Sequence, residues 1–509
     1  MLSTLFGKKS EHPLADMRSA QKLLEELPKN DTHKLLMDFA ELIESVAEDN
    51  SLKVDQQFAM LRLFDEAAQP YIRKLTAEYF VPGELNSFQE GRLWLVLGNL
   101  SRQTAIAYYV VFKRYRNDEK GSSAIKPLAA LLMARAVYAM IWQLKYVCVR
   151  YDLVEYATWE NLAHIYASAE QQQCLDTPVN LYPGMVAKTS VRCETGHLLG
   201  WYGSGVSSLT PVHLHLTERL LAQYCLDIEV QARQSQSSLY SFDLHGPGAP
   251  LRVKMHSAAP LSMRFVGMPA MLPKLEQLLK TLEKNIVPDG LFLGGSYGAE
   301  VVKEAVIHLL SYLTNPPVRR SARRAIKISF NVANSFAEVM ERIKARLSFS
   351  KERPSWQIQD ISANGFLTVL PDQGGEGVRI GSLIGMQLEG VPHWGVAVVR
   401  RMLRNSAYQL HIGAEILSTQ AADVALSQSG AGGGFDDGQD ALWLFAKPNE
   451  ATGEAKLLMK AGAFTAQRSL QTHFNQKKYL LIPIGLQEKY VDCDLARSRL
   501  IEQEDGQED

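Results

Sequence analysis

The sequence predicts a multidomain α+β protein in which a helical N-terminal domain, a mixed α/β middle region and β-rich C-terminal segments follow one another. Apolar residues recur at helical spacing to about residue 169, and the texture then changes to Gly, Pro and β-branched residues. Short alternating segments dominate after Asn315-Pro316-Pro317. At 509 residues, with 46% hydrophobic and 21% charged content, the chain is long enough for about three domains.

Charge and cysteine content narrow the class of function. The formal net charge is -1 at pH 7, so no overall basic field attracts nucleic acid or anionic lipid, and an anion site has to come from a local cluster. The five cysteines are odd in number and never spaced as CxxC, which argues against a disulfide framework and a structural zinc site. The N-terminus lacks the apolar core of a secretory signal. We therefore expect a cytoplasmic protein without a metal or cofactor.

The first predicted domain, residues 1–175, is all-α. Its clearest apolar stripe recurs at i, i+3 and i+4 spacing and comprises Leu35, Leu36, Phe39, Leu42, Ile43 and Val46. The most apolar stretch, residues 127–144, contains Arg135 near its centre, which would cost about 2.5–3.5 kcal/mol on membrane-insertion scales. The sequence therefore predicts a buried helix there and no transmembrane segment.

The second predicted domain, residues 176–315, mixes strands and helices. Alternation predicts strands at residues 206–216, 225–232, 239–244 and 251–256. Helical runs follow at residues 271–285 and 299–313, and the double proline ends the domain.

The remaining chain divides at a Gly-rich stretch. Several short alternating strands are predicted within residues 316–420. Residues 421–440 are predicted to be a linker, because their glycines and acidic residues cannot bury a core. Residues 441–509 return to strand-like text and end in an acidic tail.

Four arginines stand in six positions directly after the double proline: Arg319, Arg320, Arg323 and Arg324. A guanidinium is always charged, forks onto phosphate oxygens and stacks on flat rings. The cluster suits a phosphate-rich nucleotide, but a solvated charge run at a domain boundary is the commoner explanation of such a pattern.

The second motif reads W-Q-I-Q-D-I-S-A-N-G from residue 356 to residue 365. Asp360 offers two acceptors suited to the N1–H and N2–H edge of guanine, Ser362 adds a hydroxyl, and Gly365 permits a positive φ or a close backbone approach. By itself, D-x-S-x-x-G is equally typical of an Asx turn that closes a hairpin.

The combination and order of these motifs resemble the PilZ family, whose members are small β-barrels that bind cyclic di-GMP. An R-x-x-x-R segment, a strand, D-x-S-x-x-G and further paired strands follow one another, and the last strand reads YQLHIGAEIL. The resemblance covers about 100 of the 509 residues. It implies a PilZ-like antiparallel β-barrel at residues 316–420.

By that resemblance, Arg320 and Arg324 would hold phosphates and stack on guanine, with Arg319 and Arg323 as the alternative register. Asp360 and Ser362 would read the guanine edge, and Gly365 would shape the turn. One departure is a predicted amphipathic helix at residues 333–348, between the two motifs. Its position leaves two placements open, either beside the nucleotide or over it.

Competing chemistry has weaker support in the sequence. Gly294-Gly295-Ser296-Tyr297-Gly298 matches G-x-S-x-G, the nucleophile pattern of serine hydrolases, although a Gly-rich helix start explains it better. His213 and His215 would share one face of a strand and suggest a metal site, but no recognisable ligand set completes it.

The sequence thus predicts a bacterial, non-enzymatic effector that binds cyclic di-GMP and relays its occupancy to a protein partner through the helical domain. No catalytic residue is assigned. A ligand-free PilZ-like scaffold is the first alternative, and a serine hydrolase that uses Ser296 is the second.

Overall fold

The computed structural model of the chain describes residues 16–503 apart from 82, 84, 186, 254–258, 317–320, 372–374, 376, 429–437 and 446–452. The chain divides into two compact units, Met1–Pro317 and Val318–Asp509. The first contains helices and one small sheet, and the second contains two β-barrels. This architecture confirms the predicted multidomain α+β class.

Nine α-helices form the first part of the N-terminal unit among the residues that the structure describes. They are α1 (Met17–Glu26), α2 (Thr32–Glu48), α3 (Val54–Tyr79), α4 (Ser87–Arg116), α5 (Ser122–Ile125), α6 (Ala129–Val149), α7 (Tyr156–Gln171), α8 (Val191–Gly203) and α9 (Pro211–Gln223). Capping fixes several starts. Asp31 accepts hydrogen bonds from the backbone N–H groups of His33 and Lys34, at 3.0 and 3.1 Å, and so begins α2.

The most apolar stretch forms α6, which is buried inside the bundle as predicted. By length and composition, Ser122–Val149 is the one helical segment of the described chain that could cross a membrane, which is weak evidence because most of it is buried. Arg135 is 1% exposed, and its Nη2 lies 2.6 Å from Oε1 of Glu66. Pairing with a carboxylate is what allows a guanidinium to be buried in a helical core.

A small antiparallel sheet and two more helices complete the N-terminal unit. The strands are β1 (Glu229–Gln231), β2 (Ser238–Asp243), β3 (Leu251–Arg252) and β4 (Met263–Gly267), in the order β1-β4-β2-β3. Helices α10 (Met271–Leu282) and α11 (Ala299–Thr314) agree with the predicted helical runs. One continuous core from Ala20 to Leu309 spans the expected boundary between residues 175 and 176.

One predicted strand of the middle region was wrong and a second is shorter than predicted, while the strand predicted at residues 251–256 begins with β3 and ends outside the described residues. Residues 206–216 form a 3₁₀ turn, Val206–Ser208, and the start of α9, while residues 225–232 contain the turn Cys225–Asp227 and only the short strand β1. Thr210 caps α9 and Pro211 occupies its first position, a strong helix start. The apparent alternation concealed a helical face on which Leu214, Thr217 and Leu221 are buried.

The second unit begins with a closed antiparallel barrel, an element of the predicted fold class. Its strands are β5 (Arg324–Asn334), β6 (Ser355–Ser362), β7 (Gly365–Leu370), β8 (Leu383–Leu388), β9 (Gly395–Arg404) and β10 (Leu410–Ser418), and α12 (Phe336–Lys344) connects β5 to β6. The closed order is β10-β7-β6-β5-β8-β9.

The C-terminal strands close a second barrel. They are β11 (Ala421–Gln428), β12 (Gln439–Leu444), β13 (Glu454–Lys460), β14 (Leu470–Phe474), β15 (Lys477–Lys489) and β16 (Cys493–Gln503), in the closed order β11-β12-β13-β16-β15-β14. The expected linker at 421–440 therefore has strands at both ends, and residues 429–437 lie outside the described residues.

The two barrels have the same connectivity. When the strands of each barrel are numbered one to six along the chain, both close in the cyclic order 1-2-3-6-5-4, with every neighbouring pair antiparallel. The second unit is therefore a tandem of two topologically equivalent modules.

The inserted helix α12 packs where the two barrels meet. Its buried residues Phe336, Val339, Met340 and Ile343 share a core with Leu383 of β8, Leu442 of β12 and Leu495 of β16, among others. The apolar stripe that predicted the helix is the face it buries.

Candidate functional site

The arginine segment leads directly into β5. Arg319 and Arg320 lie outside the described residues. Arg323 precedes the strand and Arg324 is its first residue, and both are exposed. Two of the four candidate arginines are therefore placed at one end of the first barrel.

Strand pairing brings the D-x-S-x-x-G motif to the same end. Ala325 of β5 is directly opposite Asp360 of β6, and Arg324 is opposite Ile361. Nη1 of Arg323 donates to both carboxylate oxygens of Asp360, at 2.9 and 3.2 Å. The two motifs, 37 positions apart in the chain, thus meet in one ion pair whose side chains are 36% and 23% exposed.

The remaining motif residues form the β6–β7 hairpin. Ser362 is opposite Gly365, and the Ser362 hydroxyl donates to the Gly365 carbonyl oxygen at 3.1 Å. A Cβ on Gly365 would lie 2.4 Å from the carbonyl oxygen of Ala414 on β10. Gly365 is therefore needed for close strand approach, the second of the two roles that its residue type offered.

Sequence reasoning missed how firmly this hairpin is tied to β10. Glu415 is paired with Gly365, and the backbone N–H of Ile416 donates to the carbonyl oxygen of Asn364 at 3.0 Å. Nε of Arg400 donates to Glu415 at 2.7 Å, and the same guanidinium forks onto Glu488 of the second barrel. The YQLHIGAEIL strand could be recognised in the sequence, but its pairing with the β6–β7 hairpin could not.

The inserted helix lies far from the motifs. It follows the last residue of β5, whereas Arg324 is the first, and 11 residues of strand span about 33 Å. Strand β6 then returns to the motif end of the barrel. Neither of the two expected placements, beside the nucleotide or over it, agrees with this position.

The serine-hydrolase pattern lacks the geometry of a nucleophile elbow. Ser296 is exposed in a loop, and residues 291–293 before it form no strand. Nearby histidines bond elsewhere: His213 to Glu304 at 2.9 Å, His215 to the carbonyl oxygen of Leu293 at 2.8 Å, and His308 to that of Ser204 at 2.7 Å. The segment is a glycine-rich loop that leads into α11.

The imagined histidine metal site is not assembled either. His213 and His215 lie on helix α9, where two residues apart means nearly opposite faces, so the expectation of a shared strand face was wrong. Within the described ranges, no group of three or more His, Cys, Asp and Glu side chains could hold a metal ion.

A buried charge network lies in the helical unit, and no sequence motif predicted it. Glu218, 1% exposed, contacts Lys145, His197 and Arg219. Burial opposes ionisation of Glu218, but Arg219 and Lys145 hold its pKa well below the usual value. Burial lowers the pKa of Lys145 to about 8, although Glu218 acts against that shift. We interpret the network as structural, because the Glu218 carboxylate contacts every cation in it.

Comparison with known families addresses the helical unit and not the barrels. Residues 18–235 match the family model described as "Cyclic-di-GMP receptor FimW, N-terminal domain". The match spans less than half of the chain and ends before the arginine segment. No curated protein and no solved structure matches the chain. The helical unit is therefore similar to the N-terminal domain of a cyclic di-GMP receptor, a finding independent of the barrel motifs.

Proposed function

We propose that this chain is a non-enzymatic, cytoplasmic effector that binds cyclic di-GMP at the first barrel and passes its occupancy to a protein partner through the helical unit. The observation that carries the proposal is the Arg323–Asp360 contact, which joins the two PilZ-like motifs at one end of one barrel. The similarity of residues 18–235 to a cyclic di-GMP receptor supports the same ligand from a different part of the chain.

The chemistry of binding follows from the residue types. The arginines supply fork-shaped donors for phosphate oxygens and flat faces for guanine. Asp360 accepts from the guanine N1–H and N2–H groups, as no uncharged side chain could do as strongly. In the structure, Arg323 and Asp360 form an ion pair with each other. Binding therefore exchanges this ion pair for contacts to the two ends of the nucleotide.

That exchange gives the ligand a means of signalling. A ligand shifts a conformational equilibrium only by its differential affinity for the two states. Contacts that the arginine segment makes with the phosphates in one state and not in the other are a natural source of such a difference. The protein partner would respond to that segment and to the helical unit joined to it.

Isothermal titration with cyclic di-GMP, with GTP as the control ligand, tests the proposal. We expect saturable binding that GTP does not reproduce. The pair Arg320→Ala/Arg324→Ala and the pair Arg319→Ala/Arg323→Ala separate the two registers, because each lost phosphate contact of about 1.5–3 kcal/mol weakens binding about ten- to a hundredfold.

Arg353→Ala is the matched control, since Arg353 is an arginine of the same unit outside both motifs and bonds to the carbonyl oxygen of Ser348. Equal affinity of wild type and both double variants would remove the site assignment. No heat with the folded wild type would refute the receptor proposal and leave a barrel that serves protein contacts.

A further inference from the structure

Helices α2 and α4 each expose a stripe of residues at alternating three- and four-residue spacing. The α2 stripe consists of Lys34, Met37, Glu41, Glu44 and Glu48. The α4 stripe consists of Phe88, Arg92, Leu95, Asn99, Arg102 and Ile106, and Lys113 continues the same face seven residues later. Large apolar side chains stand among the charges: Met37 is 52% exposed, Leu95 63% and Ile106 43%. This spacing places the residues of each stripe on one face of their helix, so each stripe is a continuous exposed surface.

The two helices run side by side in the same direction. Nε2 of Gln103 donates to Glu44 at 2.8 Å, near the C-terminal end of α2. Near its N-terminal end, Arg92 lies close enough to Asp31 to act on its carboxylate. Residue 44 is thus level with residue 103, and Asp31 lies within electrostatic reach of Arg92.

The stripes carry opposite charges. The α2 stripe has three glutamates and one lysine, whereas the α4 stripe has three cations and no acid. Glu90, the only acid of α4, contacts Arg150 at 2.6 Å. Across the described ranges, none of Glu41, Glu44 and Arg102 forms an ion pair. Glu44 accepts from the neutral amide of Gln103 and Arg102 donates to the neutral amide of Asn99, so their charges are not neutralised by these contacts.

We propose that α2 and α4 form the interface of a homodimer, in which α2 of each copy packs on α4 of the other. A two-fold axis parallel to both helices and between them produces this arrangement, since it exchanges left and right across the interface. A two-fold axis in the plane of the interface but perpendicular to the helices would instead pack α2 on α2 and α4 on α4 of the second copy. Like charges would then face each other. The α2–α4 face is self-complementary only in the first arrangement.

The levels of the two helices fix the register of the dimer. Glu44 of one copy lies opposite Arg102 of the second copy, and Met37 lies within one helical turn of Leu95. The apolar residues supply burial, and the charges select the partner helix. A second copy fits this face because both halves of the complementary pair are present on every chain.

The size of the face indicates a weak dimer. Helix α2 has 17 residues, so it is about 25 Å long, and two neighbouring helices present a width of about 20 Å. Each copy would contribute about 500 Å², or about 1,000 Å² in total, at the lower end of specific interfaces. We expect dissociation in the micromolar range. The dimer does not depend on the proposed nucleotide site.

Sedimentation of the full chain over a concentration series tests the proposal, with two charge-reversed variants. The acidic-stripe variant is Glu41→Lys/Glu44→Lys, and the basic-stripe variant is Arg92→Glu/Arg102→Glu. Each variant alone opposes like charges in the dimer, so we expect at least a tenfold loss of self-association. Both variants alter exposed positions, and helical circular dichroism checks their folds.

Mixing the two variants is the decisive experiment. The acidic stripe of one then meets the basic stripe of the other in both halves of the interface, so a 1:1 mixture regains dimer. Glu276→Lys, on the exposed side of α10, is the matched control and leaves association unchanged. A wild type that stays monomeric to about 100 µM overturns the proposal, as do variants that still dimerise and a mixture that stays monomeric.

Discussion

Gly365 lies in the D-x-S-x-x-G motif, yet its first role is to let two strands approach. The position where a Cβ would stand is 2.4 Å from a backbone oxygen, which cannot rotate away as a side chain could. The strand would have to shift, and the β7–β10 pairing would be disturbed at the hairpin.

We predict that Gly365→Ala destabilises the barrels by about 1–3 kcal/mol, the usual cost of an overpacked site. Denaturant unfolding followed by tryptophan fluorescence measures the change. Gly485→Ala is the control, because nothing lies within 4 Å of that Cβ position on β15. Equal stability of the two variants would show that the close approach does not constrain residue 365.

Glu218 shows how a buried charge makes stability depend on pH. The folded-state pKa of Glu218 is held below its unfolded value by Arg219 and Lys145 against the effect of burial. The group therefore contributes stability above its unfolded value of about 4.5, and this contribution is lost as the pH falls below it. The pKa of His197 shifts in the opposite direction. Burial lowers it, but Glu194 and Glu218 raise it by more, so the pKa lies above its usual value.

We predict that Glu218→Gln destabilises the helical unit by about 3–5 kcal/mol at neutral pH, because it leaves buried cations without their partner. The difference in unfolding free energy between variant and wild type should become smaller as the pH falls below about 4.5. Unfolding followed by helical circular dichroism measures both. Glu276→Gln on exposed α10 should change stability by less than about 0.5 kcal/mol. A gap that does not vary with pH would contradict the role of this ionisation.

Among the elements, α12 marks what sequence can and cannot predict. Its amphipathic stripe predicted a helix at 333–348, and the helix is present, because a face of Phe336, Val339, Met340 and Ile343 has to be buried. The stripe does not predict which elements cover this apolar face. Its partners on β8, β12 and β16 come from strands as far as about 150 residues away.

Strand recognition failed for a related reason. At residues 206–216 a two-residue alternation and a helical period coexist, and the Thr210 cap with Pro211 decided for the helix. The two motifs of the candidate site, D-x-S-x-x-G and the arginine segment, are local patterns that the sequence shows directly. The contact between them depends on the β5–β6 register, which no local pattern specifies.

The start of α12 yields a prediction for that element. The Phe336 N–H donates to Oδ2 of Asp492 at 2.5 Å, so the second barrel caps the helix inserted in the first. We predict that Asp492→Ala costs about 0.5–2 kcal/mol in unfolding free energy. Asp440→Ala is matched, because Asp440 pairs with Lys344 of the same helix at an exposed site and should cost less than about 1 kcal/mol. A larger loss for Asp440→Ala would contradict this account of the cap.

At the scale of the whole chain, the duplicated barrel was hidden from sequence because connectivity persists where motifs do not. Ser418-Thr419-Gln420 precede the first strand of the second barrel without an arginine, and residues 445–453 between its second and third strands contain no D-x-S-x-x-G. The nucleotide proposal therefore rests on the first barrel, and the second contributes the Asp492 cap and the shared core.

Two separate parts of the chain, the helical unit and the first barrel, point to the same ligand. Residues 18–235 match the N-terminal domain of a cyclic di-GMP receptor, whereas both barrel motifs lie after residue 318. The main core of the first unit and the cores of the second share no residues, so each unit has what a domain needs to fold alone.

We predict that residues 318–509 fold without the helical unit and bind cyclic di-GMP nearly as tightly as the full chain, while residues 1–317 do not bind it. Circular dichroism checks each fragment, and titration measures affinity. The first fragment retains Arg319 and Arg320, so the arginine segment is complete. Binding by residues 1–317 alone would move the site to the helical unit and leave the Arg323–Asp360 pair as a structural contact. Binding only by the full chain would mean that both units contribute to the site.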